Sequence, residues 1–444
     1  MEKLFPEVKT SLPGPKGKAL IERDQRHAST SYIKEYPLVV DRAEGCWIYD
    51  LDGNRFLDMM AGIAVASTGH CHPKVVEAIK RQAEKFMHIC ATDFYYEPFT
   101  RLTEKLATYV PKMGARKTFL TNSGTEAVEG AIKLARYHTR RTNLIAFKGA
   151  FHGRTYGALS MNCSKNTQRA FFGPFLPGVT HVPYPNPYRC PYANTAKECS
   201  GEGCECGNVL EKDTFVSLMN PKEVAAIVVE PIQGEGGYIV PPKKFLQNLR
   251  RLCDEHGICL IFDEVQCGAG RTGHMYAAEC FDVAPDILVT SKGLGSGMPI
   301  GAFMVREKFM TWPSGSHGST FGGNPVCCAA AVATLEIVEE LLPHVRKMGD
   351  FFKKGLHELA RKHPELGDVR GEGLMIGAEF VDLKTKEPAV QLVDDLVQEA
   401  FKKGLCLLGA GKSTIRFCPP LIITEHEISI GLKILDECLV KLKK

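Results

Sequence analysis

Short unbroken apolar runs alternate with segments of helical periodicity through the middle of this chain. The runs Leu144–Phe147, Ala225–Val229, Cys259–Phe262 and Ile287–Val289 are each followed by a polar residue. Runs of that length closed by turn signals read as buried strands of a parallel sheet. Between them, Ala127, Val128, Ala131, Ile132 and Ala135 fall on one helical face, as do Phe245, Leu249 and Leu252. The alternation predicts an α/β fold, a mostly parallel sheet with helices on both faces.

The flanking regions read differently. Residues 1–40 carry Pro6, Pro13, Gly14, Pro15 and Gly17 and read as an extended arm. CWIYDLDGNRFLDM predicts a hairpin turning at Asp52-Gly53. His72-Pro73 opens a helix with Val75, Val76, Ile79, Ala83 and Phe86 on its buried stripe. KTFLTN predicts a strand that runs into Ser123-Gly124-Thr125 and a helix. After Gly323-Asn324-Pro325 a long helix is expected through Glu340, and residues 343–444 read as a smaller α/β domain with strands near Leu374–Phe380 and Thr414–Cys418.

Composition narrows the class. A chain of 444 residues calls for two or three domains. A net charge of +4 points to neither nucleic acid nor a membrane surface as partner. The opening stretch has no apolar h-region, and no run approaches membrane-span length. Seventeen scattered cysteines fit reduced thiols in the cytoplasm better than a disulfide framework. Cys190, Cys199, Cys204 and Cys206 crowd an insert at 183–207, but their spacing is not the paired CxxC of structural zinc, so no metal is expected. GAGKST at 409–414 resembles half a P-loop, yet Cys406 stands where the first glycine belongs and the run leads into a strand.

The candidate chemistry sits at strand ends, where ligands of open α/β sheets bind. Asp263 and Lys292 follow two of the apolar runs, with glycines directly after the lysine. Such a pair suits a Schiff-base cofactor: the lysine forms an imine and the acid keeps a ring nitrogen protonated. Ser123, Gly124 and Thr125, between strand and helix, offer free N–H groups to a phosphate, or else form an ordinary N-cap. AFHGRT puts Phe151, His152 and Arg154 after a strand. Phe151 is placed to stack on a ring and Arg154 to grip a carboxylate, unless this is a surface loop. VVEPIQGEGG leaves Glu230 at a strand end and Glu235 in a glycine-rich loop.

SGTEA, FHGRT, EPIQGEGG, IFDEVQCGAGRTG, SKGLGSGMPIGA, STFGGNP and TIRFCPPL occur here in the order and spacing of class III aminotransferases. The whole chain resembles these fold type I enzymes, which depend on pyridoxal 5'-phosphate, and is nearest in pattern to the 4-aminobutyrate aminotransferases. The resemblance implies that Lys292 holds the cofactor covalently and then moves the substrate's proton, and that Asp263 pairs with the pyridine nitrogen. Gln266 would bond the ring hydroxyl, and Val265 and Phe151 would flank the ring, with His152 and Glu230 also at the cofactor. Ser123, Gly124 and Thr125 would bind the phosphate, joined by Thr320 of a second subunit in a homodimer. It also implies a large cofactor-binding domain at 66–330 and a small domain joining 1–65 to 331–444.

For substrate, the resemblance implies a switch. Glu235 paired with Arg416 would favour a donor without an α-carboxylate. Glu235 swung away would free Arg416 for glutamate, with Arg154 holding the far carboxylate. Ile63 matches an apolar pocket position in the 4-aminobutyrate enzymes. The expectation is transfer of an amino group from an ω-amino acid, 4-aminobutyrate first, to 2-oxoglutarate. Ornithine or acetylornithine transamination, amino-acid racemisation, and a non-catalytic cofactor binder are the alternatives.

Overall fold

A computed structural model of the protein describes residues 4–190 and 210–443. Its centre is a seven-stranded sheet in the order Arg116–Thr121, Gly301–Arg306, Ile287–Thr290, Cys259–Asp263, Val224–Val229, Asn143–Phe147, Val179–Val182. Every neighbouring pair is parallel except those made by Gly301–Arg306, which runs antiparallel to both its neighbours. All six residues of Val224–Val229 are buried, as continuous apolar strands covered on both faces must be.

The two faces separate by side-chain parity. Leu144, Ala146, Ala226, Val228, Ile261 and Val289 pack with the helix Gly124–Thr139. Ile145, Phe147, Ile227, Val229, Leu260 and Phe262 point the other way, toward the helix Lys243–His256. Burying each such side chain contributes roughly 1.5–3 kcal/mol, so the sheet is the rigid platform on which strand-end residues are displayed.

Two four-stranded sheets flank it. One holds the expected hairpin, Trp47–Asp50 and Arg55–Asp58, with Val40–Glu44 on one side. On its other side Leu405–Cys406 lies parallel to Arg55–Asp58, pairing Leu405 with Leu57. The other sheet is antiparallel, in the order Leu366–Glu372, Met375–Phe380, Thr414–Phe417, Leu408–Ala410.

Four expectations need correction. The arm contains a helix, Pro15–His27, because Pro15 suits a first helical position and the Asp52 carboxylate accepts from the N–H groups of Lys16 and Gly17. In the helix Pro73–Lys85 the buried residues are Val75 and Gln82, while Ala83 and Phe86 are exposed. Gln82 is held in place by donating its amide to Phe86 O at 3.0 Å. The long helix does not stop near Glu340 but runs from Pro325 to Lys362, passing through Pro343. Buried Val338 before the proline, and Val345 and Met348 after it, hold both halves in the core, and position 330/331 lies inside this one helix. The C-terminal part also has more strands than expected, since Leu366–Glu372 and Leu408–Ala410 lack a long apolar run. Cys199, Cys204 and Cys206 lie outside the described residues.

Candidate active site

A cavity of about 400 Å³ opens at the carboxyl ends of the central strands. Ser123, Gly124, Thr125, Phe151, His152, Arg154, Glu230, Asp263, Val265, Gln266 and Lys292 all line it. One end of the cavity is the start of the helix Gly124–Thr139, where Ser123 is the N-cap and accepts from Glu126 N–H. The remaining first-turn N–H groups and the positive helix end favour an anion there. Gly124 is bare for a reason: a Cβ would stand 2.8 and 2.9 Å from the Val265 methyls. Thr125 Oγ1 lies 2.7 Å from Thr155 Oγ1.

The buried acid end is a hydrogen-bonded chain. His152 Nδ1 is 2.7 Å from Asp263 Oδ2, and Val265 N–H donates to the other oxygen, Oδ1, at 3.0 Å. Burial disfavours the imidazolium, but the hydrogen bond and charge of Asp263 outweigh it and raise the His152 pKa. His152 Nε2 is buried with no hydrogen-bond partner among the described residues. Glu230 accepts from Phe151 N–H at 2.9 Å and Gly234 N–H at 2.8 Å, tying the aromatic loop to the glycine-rich loop. Burial pushes its carboxyl up to about 7, against the favourable charge of His152.

Lys292 sits in the turn between the antiparallel strands Ile287–Thr290 and Gly301–Arg306, at φ 44°, a left-handed conformation unusual for a lysine. Desolvation lowers its pKa, only partly opposed by Glu235 and Asp263. A lysine so placed is closer to its neutral, nucleophilic form than a solvated one.

Buried Arg416 and partly buried Glu235 form an ion pair. Desolvation works against both charges, and their mutual attraction prevails, lowering the Glu235 pKa and raising that of Arg416. Neither lines the cavity itself; both lie close enough to Lys292 to act on its charge. Ile63 is also outside the cavity wall, 36% exposed in a left-handed stretch from Ala61 to Ala64, and its neighbour Val65 takes the lining position. Thr320 is exposed and does not reach the cavity of its own chain.

Several residues escaped the sequence reading. Asn162 fixes the FHG loop, accepting from His152 N–H at 2.6 Å and donating to Gly153 O at 2.7 Å. Tyr238 donates to Gln266 Oε1 at 2.9 Å. Ser291, Met298 and Ile300 also line the wall, the Ser291 hydroxyl donating to Ile300 O at 2.7 Å. Adjacency to Lys292 was the one available signal for Ser291; Asn162 carried none.

These groups fit pyridoxal 5'-phosphate. An anion-binding helix start with a bare glycine, a ring-sized space lined by Phe151 and Val265, a buried acid and a desolvated lysine share one wall system.

The family described as Aminotransferase class-III matches residues 29–439. The chain is 40% identical to an alanine/serine racemase of Pyrococcus horikoshii, over 98% of this chain and 93% of that one. It is 40% identical to a 4-aminobutyrate aminotransferase of Escherichia coli, over 96% of this chain and 99% of the other. An omega transaminase from Pseudomonas jessenii, solved in complex with PMP, superposes with a TM-score of 0.87 at 30% identity, covering 95% of this chain and 97% of that one. Fold, cavity and likeness together place this chain in the class III aminotransferase family, enzymes that work with pyridoxal 5'-phosphate.

Proposed function

We propose that this aminotransferase moves the amino group of an ω-amino acid, with 4-aminobutyrate as the preferred donor, to 2-oxoglutarate, giving the semialdehyde and glutamate. The observation that carries the reading is the partly buried Glu235–Arg416 pair beside Lys292. With the pair closed, the guanidinium is neutralised and a donor lacking an α-carboxylate meets no unpaired charge. With Glu235 turned away, Arg416 takes the α-carboxylate of glutamate and Arg154, at the cavity wall, takes the distal one.

When bound, pyridoxal 5'-phosphate supplies the electron sink that lets a proton leave the carbon bearing the amine. The chain supplies the rest. N–H groups at Gly124 and Thr125 would hold the phosphate, and Asp263, held in place by His152, would keep a proton at the ring nitrogen. Gln266, fixed by Tyr238, would bond the ring hydroxyl. Lys292 would anchor the cofactor, and its amine, held toward the neutral form by desolvation, would then accept and return the proton of the substrate carbon that bears the amine. Thr320, with exposed Phe321 beside it, belongs to the neighbouring site in a homodimer. Buried unlinked thiols such as Cys253, Cys267 and Cys406 support a reducing, cytoplasmic setting; no helix among the described residues is long and apolar enough to cross a membrane.

Relatives named alanine/serine racemase and isoleucine 2-epimerase, at 40% and 37% identity, support a second reading, return of the proton to the opposite face. The test is a holoenzyme assay with and without 2-oxoglutarate, beside Lys292→Ala. Transamination requires glutamate formation that depends on the keto acid and a cofactor absorbance band lost in the variant. Inversion of an amino acid without any keto acid would establish the racemase instead.

A further inference from the structure

The loop that carries Glu235 lies on a row of three residues crossing the antiparallel sheet. Arg370 pairs with Gly377, and Gly377 with Arg416, so their side-chain directions share one face. The glycine in the middle leaves room for the loop: a Cβ there would stand 3.0 Å from Tyr238 Cβ and 3.3 Å from Gly237 O. On one side of this gap Arg416 holds the Glu235 carboxylate. On the other, Arg370 donates to Gly237 O at 2.6 Å and Tyr238 O at 3.1 Å. The same guanidinium donates to Thr414 Oγ1 at 3.1 Å, on the strand that carries Arg416. Asp368 and Glu379, at 2.6 and 2.8 Å, fix its orientation.

We propose that Arg370 is a positioning residue for substrate choice. It fastens the loop of Glu235 to the strand of Arg416 and so sets how firmly Glu235 masks the Arg416 guanidinium. The backbone of Glu235 is held as well, since Gly411 N–H donates to Glu235 O at 2.8 Å. Exchange between the two substrate types is therefore a rotation of the Glu235 side chain over a clamped backbone, not a movement of the loop. A planar guanidinium with five donors makes all these contacts at once; a lysine ammonium keeps the charge but cannot span them.

This inference rests on the proposed alternation of Glu235, and the test separates the two. Holoenzymes of wild type, Glu235→Ala, Arg370→Lys and the double variant are reacted in single turnovers with 4-aminobutyrate and with glutamate. Arg370→Lys is expected to lower the 4-aminobutyrate-to-glutamate ratio of kcat/KM by roughly tenfold, the scale of one charge-assisted hydrogen bond. It should leave the cofactor absorbance intact and change the ratio no further in the Glu235→Ala background. Gly377→Ala, which pushes the loop from below, should shift the ratio the same way. Equal losses with both substrates, or an additive effect in the double variant, would overturn the role of Arg370 alone. A wild type inert toward 4-aminobutyrate, or a Glu235→Ala ratio that does not move, would overturn the underlying reading and this inference with it.

Discussion

Asp263 and His152 meet where water is excluded: Oδ2 and Nδ1 are 2.7 Å apart, with the two side chains 4% and 0% exposed. Removing the imidazole would leave a buried carboxylate with fewer donors, at a cost of about 1.5–3 kcal/mol for a hydrogen bond to a charged group. His152→Ala is expected to slow both half-reactions roughly ten- to hundredfold. Stopped-flow spectra of the holoenzyme read this directly; an unchanged rate would show that Asp263 needs no support from the histidine.

Gly124 gives a steric prediction. Its missing Cβ would meet both Val265 methyls below 3.0 Å and Ser291 Cβ at 3.5 Å. Gly124→Ala should therefore weaken cofactor binding by roughly tenfold or more, the effect of overpacking costing about 1–3 kcal/mol. Adding Val265→Ala should restore part of the loss, measured as the cofactor dissociation constant. Lack of rescue would mean that the alanine acts through the helix start rather than through Val265.

Glu264, adjacent to Asp263, gives a pH prediction. Burial raises its carboxyl to about 8, with the Glu279 charge adding to the rise, although Ala277 and Ala278 N–H groups and Cys267 pull the other way. The folded pKa lies above the unfolded one of 4.5, so its contribution to stability is complete below that value and is lost as pH climbs toward 8. The slope is at most about 1.4 kcal/mol per pH unit. The stability of Glu264→Gln relative to wild type should rise across this window and level off above it, as followed by denaturant unfolding. A constant difference would place the ionisation elsewhere.

The strand runs announced the central sheet because short continuous apolar runs bounded by turn signals, such as Val224–Val229, suit strands covered on both faces. Asp263 and Lys292 were legible for the same reason, Asp263 closing one such run and Lys292 standing three residues beyond another. Arg370 was not: the contacts that fasten the loop go to main-chain carbonyls 132 and 133 positions away, and no local pattern encodes those. The Pro15–His27 helix was hidden by its flanking prolines and glycines, and its start depends on Asp52 across the hairpin turn. The long helix outlasted Pro343 because burial on both sides outweighed one missing hydrogen bond.

The most direct measurement is steady-state amino transfer by the purified holoenzyme, with 4-aminobutyrate, ornithine and acetylornithine offered in turn with 2-oxoglutarate. The expected result is glutamate formed fastest from 4-aminobutyrate, with stoichiometric semialdehyde, and no turnover in Lys292→Ala. Glutamate formed from ornithine or acetylornithine but not from 4-aminobutyrate would contradict the assignment of the donor.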